Sequence, residues 1–377
     1  MSVNDHYADG SGDDRRNHRG RKFQSSPAPK PPKRSRHSRN QLVIFLNFCL
    51  TAGLFVVLAV GAILYWGKSE FDRPGPLTKE ATYVVPRSTG VSSIASGLES
   101  EGIVSDAAVF EYGVRLSGTG GQLKAGEYAF PAGASMRQVM EKLKSGESIM
   151  HAVTIPEGWT VYRAYERIAD ADFLTGDMPG EVPEGTLKPD TYLVQRGTTR
   201  KEVVRQMKSA QDQLVQEIWE GRDEDLPIKD IGQFITLASI VERETGIAGE
   251  RPHVASVFIN RLKKGMRLDS DPTFLYGVYG GEGKPSGQPV SQSDKDSETP
   301  YNTYKTRGLP PGPIANPGKA ALEAVAHPLE TDDLFFVADG TGGHVFAPTL
   351  KEHNANVAKY RALQRERSAE DDATSGG

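Results

Sequence analysis

Hydrophobic and polar positions divide the chain into segments of different kinds. Residues 42–66 are an uncharged apolar run of 25 residues, long enough to cross a bilayer as one tilted helix. Tyr65 and Trp66 close the run as an aromatic pair suited to a membrane interface. Beyond it one pattern recurs four times, at 83–98, 128–143, 153–168 and, more loosely, 192–207. Each copy begins with short apolar alternation, passes a glycine-containing turn, offers Ser or Thr, and continues with apolar residues at helical spacing. The pattern predicts a strand, a turn, a helix cap and an amphipathic helix four times over. The intervals between copies are unequal, which argues against a solenoid.

The second half reads differently. A helix is predicted over 231–242, apolar in character and charged only at its last residue. Another follows over 251–262, with Pro252 in its first turn. Segments 267–273, 299–304 and 308–318 are rich in turn formers. A short helix over 320–326 leads to a hairpin, with a strand at 334–338, a tight turn at 339–343 and a return at 344–346. A helix over 352–364 closes the pattern and a polar tail ends it. The fold class expected is α+β: one N-terminal transmembrane helix, strand-helix units, then a larger α+β domain.

Charge sets the topology. Residues 1–40 carry ten Lys/Arg against four Asp, and the overall formal charge of −4 therefore leaves about −10 on residues 68–377. The basic arm is rich in Pro and Ser and cannot bury a core. Basic residues before the apolar run and balanced charges after it place the N-terminus in the cytoplasm and 68–377 outside. A cleaved signal peptide is the competing reading, but the run is long and lacks a small-residue exit. The acidic outer part argues against nucleic-acid binding there. Cys49, the single cysteine, falls within the span, so the outer part has no disulfide.

Candidate chemistry narrows to carboxylates. There is no His-Glu-x-x-His, and the outer histidines are scattered, so no metal or cofactor is expected. A Gly-x-Ser-x-Gly elbow is missing, and Gly283-Lys284 lacks the rest of a phosphate loop. Pro272 and Phe274 break a calcium-loop start at Asp269. Glu242 stands out. At 100° per residue, Ile231, Ala238 and Ile235 lie within about 40° of it, while Gln233, Thr236 and Ser239 lie opposite. A carboxylate on an apolar stripe loses hydration and holds its proton, as a general acid requires. Glu244 points about 160° away, at the border of the stripe, and Arg243 reads as solvated. A glycosidase also needs a second carboxylate; Asp190, Asp269, Asp271 and Glu298 are candidates, none singled out by spacing. The turns supply aromatic faces and amides suited to sugars, namely Tyr301, Asn302 and Tyr304, with Asp271, Thr273 and Asn316 placed beside them.

A series of motifs resembles the endolytic murein transglycosylase family. It comprises Leu-Ala-Ser-Ile-Val-Glu-Arg-Glu-Thr at 237–245, Val-Ala-Ser-Val-Phe-Ile-Asn-Arg-Leu at 254–262, Gly-Met-Arg-Leu-Asp-Ser-Asp-Pro-Thr at 265–273, Tyr-Asn-Thr-Tyr at 301–304 and the proline-rich 308–318, with His-Pro at 327–328 and Phe-Val-Ala-Asp-Gly at 336–340. The block at 184–192 resembles the family's upstream motif, and only the basic arm and the loop 280–292 depart from it. The strand, Pro-x-Gly-x-Ser/Thr turn and helix at 80–148 also resemble a divergent pair of LysM glycan-binding units, with a generic α+β domain as the plainer reading. Composition and charge mark a disordered cytoplasmic arm at 1–40, a transmembrane helix at 42–66, a stalk at 67–79 and a disordered tail at 366–377; between them the resemblance implies a LysM-like domain at 80–148, a connecting strand-helix region at 149–225 and a catalytic domain at 226–365.

It further implies a lyase anchored in the bacterial inner membrane. Such an enzyme cuts the MurNAc–GlcNAc bond of nascent peptidoglycan strands internally, leaves 1,6-anhydro ends and terminates strand growth near penicillin-binding proteins. The sugar's own 6-hydroxyl attacks, so one glutamate suffices; the signature's first, Glu242, takes that role, with Glu244 accessory. A hydrolytic muramidase, a non-catalytic glycan-binding adaptor and a DNA-binding membrane regulator are the other readings.

Overall fold

The computed structural model describes residues 40–375, with side chains through 367; the arm assigned to 1–40 lies outside the described residues except for Asn40. The chain divides into two units, 1–66 and 67–377. The described part of the first is the apolar segment of α1 (Gln41–Asp72), a helix long and apolar enough to cross a membrane. Beyond residue 66 the helix continues through the first residues of the expected stalk. Phe71 is buried there and stacks on Phe110 at 6.2 Å, so this segment packs into the lobe that follows instead of standing free.

That lobe contains β1 (Ala81–Val85), α2 (Val91–Ser100), α3 (Ala107–Leu116), β2 (Gly126–Phe130) and α4 (Met136–Ser145). β1 pairs antiparallel with β2, Tyr83 opposite Tyr128. Leu98, Phe110, Tyr128, Met136 and Leu143 share one core. The first two sequence copies are therefore one body and not a pair of units. An isolated two-stranded ribbon is marginal, and each copy's strand is the other's partner. α3 was not foreseen. Asp106 starts it, its side chain accepting from Val109 N at 2.9 Å. The expected Ser/Thr cap fails at α2, where Gly90 holds the N-cap without a side-chain bond. It succeeds at α4, where Ser135 and Gln138 form a capping box.

Copies three and four pair in the same way. β3 (Met150–Thr154) lies antiparallel to β4 (Thr191–Gln195), with α5 (Val161–Ala169) and α6 (Arg200–Glu220) following their strands. Thr160 and Thr199 cap these helices, Thr199 in a box with Glu202. Ile155, Ile168, Leu187, Val203 and Met207 form the core.

The remaining elements surround α7 (Ile231–Glu244). They are α8 (Arg251–Lys263), α9 (Asp271–Tyr279), α10 (Gln292–Lys295), α11 (Lys319–Ala326), the hairpin β5 (Phe335–Ala338) and β6 (His344–Ala347), and α12 (Leu350–Ser375). α7 contacts α6, α8, α9 and α11. This overturns the amphipathic reading of α7. Thr236 and Ser239, placed on a polar face, are 3% and 0% exposed, whereas Ile231 and Ile235 are half-buried. A helix enclosed on most sides has no solvent stripe to reveal its orientation. Its hydroxyls are satisfied locally: Thr236 Oγ1 donates to Gly232 O, and Ser239 Oγ donates to Thr236 O while accepting from Ile314 N. α9 begins at the end of the turn-rich 267–273, with Pro272 in its first turn, and runs on through a stretch left unassigned.

Candidate active site

The last turn of α7 carries two glutamates with different surroundings. The Glu242 side chain is 3% exposed. Its Oε1 accepts from Arg251 Nη2 at 3.1 Å and its Oε2 from Gly318 N at 2.9 Å. The same Arg251 nitrogen lies 3.6 Å from Glu157 Oε2. Gly318 threads between these groups, and a Cβ there would collide with the Glu157 carboxyl. Burial first, and then the charge of Glu242, push the Glu157 carboxyl above its usual range, against the pull of Arg251. Glu242 is thus a carboxylate with a buried guanidinium and a backbone N–H on it. The apolar surroundings expected of it are not there, because α8 and the 314–318 segment bring polar partners that no helical wheel contains.

The loss of hydration expected of Glu242 acts instead two residues on. Glu244 was expected off the stripe. Instead, loss of hydration pushes its carboxyl up to about 7, the Ser270 hydroxyl opposing and the Asp271 charge adding. Ser270 Oγ donates to Glu244 Oε1. Glu244 lines a cavity of about 430 Å³ with Arg261, Asp269, Asp271, Tyr304 and His353. Tyr304 OH donates to Asp271 Oδ1 at 2.7 Å. Asp269 sits in the left-handed region at φ 49°, with Arg261 Nη1 3.2 Å from its Oδ2. A carboxyl that keeps its proton near neutrality beside an open cavity has the properties of a general acid.

The other sequence candidates separate cleanly. Asp271 and Tyr304 join Glu244 at the cavity. Thr273, Asn302 and Asn316 are 0% exposed. Thr273 Oγ1 donates to Ser270 O and pairs with Thr303 Oγ1. Asn302 donates to Lys295 O and Ser297 O and accepts from Tyr304 N, which fixes the turn presenting Tyr304. Asn316 accepts from Leu187 N and donates to Trp159 O, tying the 149–225 region to α7's neighbours. Tyr301 packs on Tyr276, ring centroids 5.0 Å apart, instead of lining the cavity. Among the second-carboxylate candidates, Asp190 pairs with Lys188 at 2.7 Å, and only Asp269 and Asp271 reach the cavity. Arg243 is exposed as expected, yet donates to Gly158 O at 3.3 Å.

Sequence reasoning missed Ser270, Arg251 and Glu157. Ser270 lies within the 265–273 motif and Glu157 within the Pro-Glu-Gly turn of the third copy, so both were in segments already marked. Arg251 gave no signal beyond its place at a helix start.

The sequence matches the YceG-like family over residues 83–359. It is similar to the endolytic murein transglycosylase of Bacillus subtilis strain 168, at 32% identity over 345 residues, covering 82% of this chain and 93% of that protein. The endolytic murein transglycosylase of Streptococcus pneumoniae strain D39 is 28% identical over 331 residues, covering 75% of this chain but 58% of its own length. Among solved structures, a putative yceG-like protein of Listeria monocytogenes shares 29% identity over 74% of this chain and 98% of that one, with a TM-score of 0.48. With most of its length matched by the family and a relative at 32% identity over 82% of it, the chain belongs to the YceG-like family, that of the endolytic murein transglycosylases.

Proposed function

We propose that the protein is a peptidoglycan lytic transglycosylase that cuts MurNAc–GlcNAc bonds within nascent strands, with Glu244 as proton donor. The family match carries this reading, and the place of Glu244 at the wall of the Asp271–Tyr304 cavity, where loss of hydration pushes its carboxyl up to about 7, supports it as the acid. In the reaction, Glu244 gives its proton to the glycosidic oxygen as the C1–O bond breaks. The 6-hydroxyl of the muramic acid residue attacks C1, and its proton passes to the Glu244 carboxylate. The new C1–O6 bond closes a 1,6-anhydro ring, no water is consumed, and Glu244 ends protonated as it began. Intramolecular attack removes an association cost. The Asp271 charge favours the proton on Glu244 and stabilises the positive charge developing at C1. The Tyr304 hydroxyl holds Asp271 in place.

Glu242, the first glutamate of the signature, is the second reading for the acid. It is buried beside Glu157, whose carboxyl is pushed up partly by its charge, and two carboxyls in one site can share a proton. The remaining features fit a membrane setting. Residues 42–66 act as an inner-membrane anchor with the arm inside and 68–377 outside, and the 80–148 lobe holds glycan in a LysM-like manner. Penicillin-binding proteins are the partners expected beside nascent strands.

Weighing the products of digested sacculi tests the proposal. Anhydro ends, lighter by one water than hydrolysed ends, are expected from the wild type and not from Glu244→Gln. Hydrolysed ends would make the protein a muramidase. Unchanged cleavage by Glu244→Gln would remove the assigned acid, and no cleavage by the wild type would leave a glycan-binding adaptor.

A further inference from the structure

The cavity at Glu244 has a histidine in its wall that the proposed reaction does not use. His353 comes from the first turn of α12 and lines the cavity together with Leu350, three residues before it on the same helix face. Its ring stacks on Phe335 of β5, centroids 5.2 Å apart, and the Arg261 guanidinium lies over the same Phe335 ring at 5.2 Å. Burial first, and then the charge of Arg261, push the His353 pKa below its ordinary value, so the imidazole is uncharged at neutral pH. Neither ring nitrogen is hydrogen-bonded among the described residues, and Nδ1 is enclosed without a partner. An enclosed N–H without an acceptor is the costlier orphan, so the proton belongs on Nε2, the nitrogen that is not enclosed. Stacking holds the ring, and its N–H is left as a donor at the cavity wall.

The rest of the wall is rich in acceptors, and its donors are largely committed. Tyr304 OH donates to Asp271, Ser270 Oγ to Glu244 and Arg261 Nη1 to Asp269. Sugar hydroxyls can donate to carboxylates such as these. A carbonyl oxygen only accepts, and it needs a donor from the protein. Among the described side chains of the wall, the uncharged donors free of a protein partner are His353 and the Glu244 carboxyl, and the proton of Glu244 goes to the glycosidic oxygen. Leu350, 57% exposed, adds an apolar surface beside His353. A donor and an apolar side chain one helical turn apart match the carbonyl and the methyl of an acetamido group.

We propose that His353 and Leu350 recognise the N-acetyl group of an amino sugar seated in this cavity, His353 Nε2 donating to its carbonyl oxygen and Leu350 covering its methyl. The proposal rests on the lytic reading above for the presence of the sugar and adds a specificity-determining contact to it. The full chain in detergent is titrated with chitotetraose and with cellotetraose. Both are neutral, and they differ in carrying an acetamido group or a hydroxyl at C2. The wild type should bind chitotetraose about tenfold or more tightly than cellotetraose. His353→Phe keeps a ring on Phe335 and removes the donor. It should weaken chitotetraose binding by about three- to tenfold, the worth of one net hydrogen bond, and leave cellotetraose affinity and melting temperature unchanged. A second measurement needs no loss-of-function variant. In wild type labelled with nitrogen-15 at histidine, chitotetraose should shift the His353 Nε2 resonance, assigned with His353→Gln. Equal affinities in the wild type, undiminished chitotetraose binding by His353→Phe, or an unmoved His353 resonance at saturation would each overturn the contact. Sacculi digests without anhydro ends would instead sink the lytic reading, and the titrations would still decide the contact by the same outcomes.

Discussion

Glu242 and Glu244 stand two residues apart on the same helix end, and the structure treats them in opposite ways. Glu242 receives a guanidinium and a backbone N–H, both good partners for a charged carboxylate. Glu244 receives one hydroxyl and the neighbouring charge of Asp271, with the charges of His344 and Arg261 as smaller pulls the other way, and it lines a cavity. Burial alone does not make an acid. What decides is whether the protein supplies hydrogen bonds and counter-charge in place of the lost water. By that measure we assign Glu242 to the scaffold that joins α7, α8 and the Glu157 turn, and propose Glu244 for the chemistry.

The largest expected effect is on catalysis. General acid–base catalysis supplies about 10²–10⁴-fold, so Glu244→Gln should lower the rate of anhydro-end formation by that order, with melting temperature kept or raised. Glu242→Gln, which keeps an acceptor for Gly318 N–H, should cost much less in rate. Reversed losses would exchange the two roles.

Next in size is the ion pair. Arg251 and Glu242 are 9% and 3% exposed at their side chains, and removing one partner of a buried pair costs about 3–5 kcal/mol. Arg251→Met should lose stability of that order in denaturant unfolding. Glu242→Gln added to Arg251→Met should restore part of it, because no charge is then left unpaired. A loss below about 1 kcal/mol for Arg251→Met would show that the pair is not a structural tie.

A smaller effect appears in stability against pH. The folded protein keeps the Glu244 proton to about 7, whereas the ordinary value is 4.5. Folding therefore favours the protonated form; this contribution is fully present below about pH 4.5 and is lost as pH rises through about 7. Glu244→Gln cannot lose it. The variant should gain on the wild type between those limits, by on the order of 2–3 kcal/mol, as read by denaturant midpoints across pH. A constant difference would mean that Glu244 titrates normally. The smallest effect belongs to Ser270, whose hydroxyl holds the Glu244 carboxyl down. Ser270→Ala should move the basic limb of the activity profile to higher pH; a shift to lower pH would contradict the assigned hydrogen bond.

Much of this fold could be read from local pattern. The four strand-turn-helix copies, the helix with Pro252 and the closing hairpin all follow from turn residues and apolar spacing, which act over a few positions. What escaped was long-range. Nothing in residues 83–143 shows that β1 would take β2 as partner, or that Asp106 would start a helix between the two copies. The site was legible as a motif, and the surroundings of its side chains were not, for the same reason. Glu242's partners come from positions 251 and 318 and Glu244's from 270 and 271, so their environments depend on chain crossings that helical periodicity does not encode. Asn302 and Thr273 carry the composition of a sugar site but are used up inside the turn that presents Tyr304.

The pH dependence of kcat/KM in Glu242→Gln tests the assignment most directly, since that profile reports the titrating groups of the free enzyme. A basic limb near pH 7, matching the wild type and the Glu244 carboxyl pushed up to about 7, is the expected result. Loss of that limb in Glu242→Gln would contradict it and return the proton to Glu242.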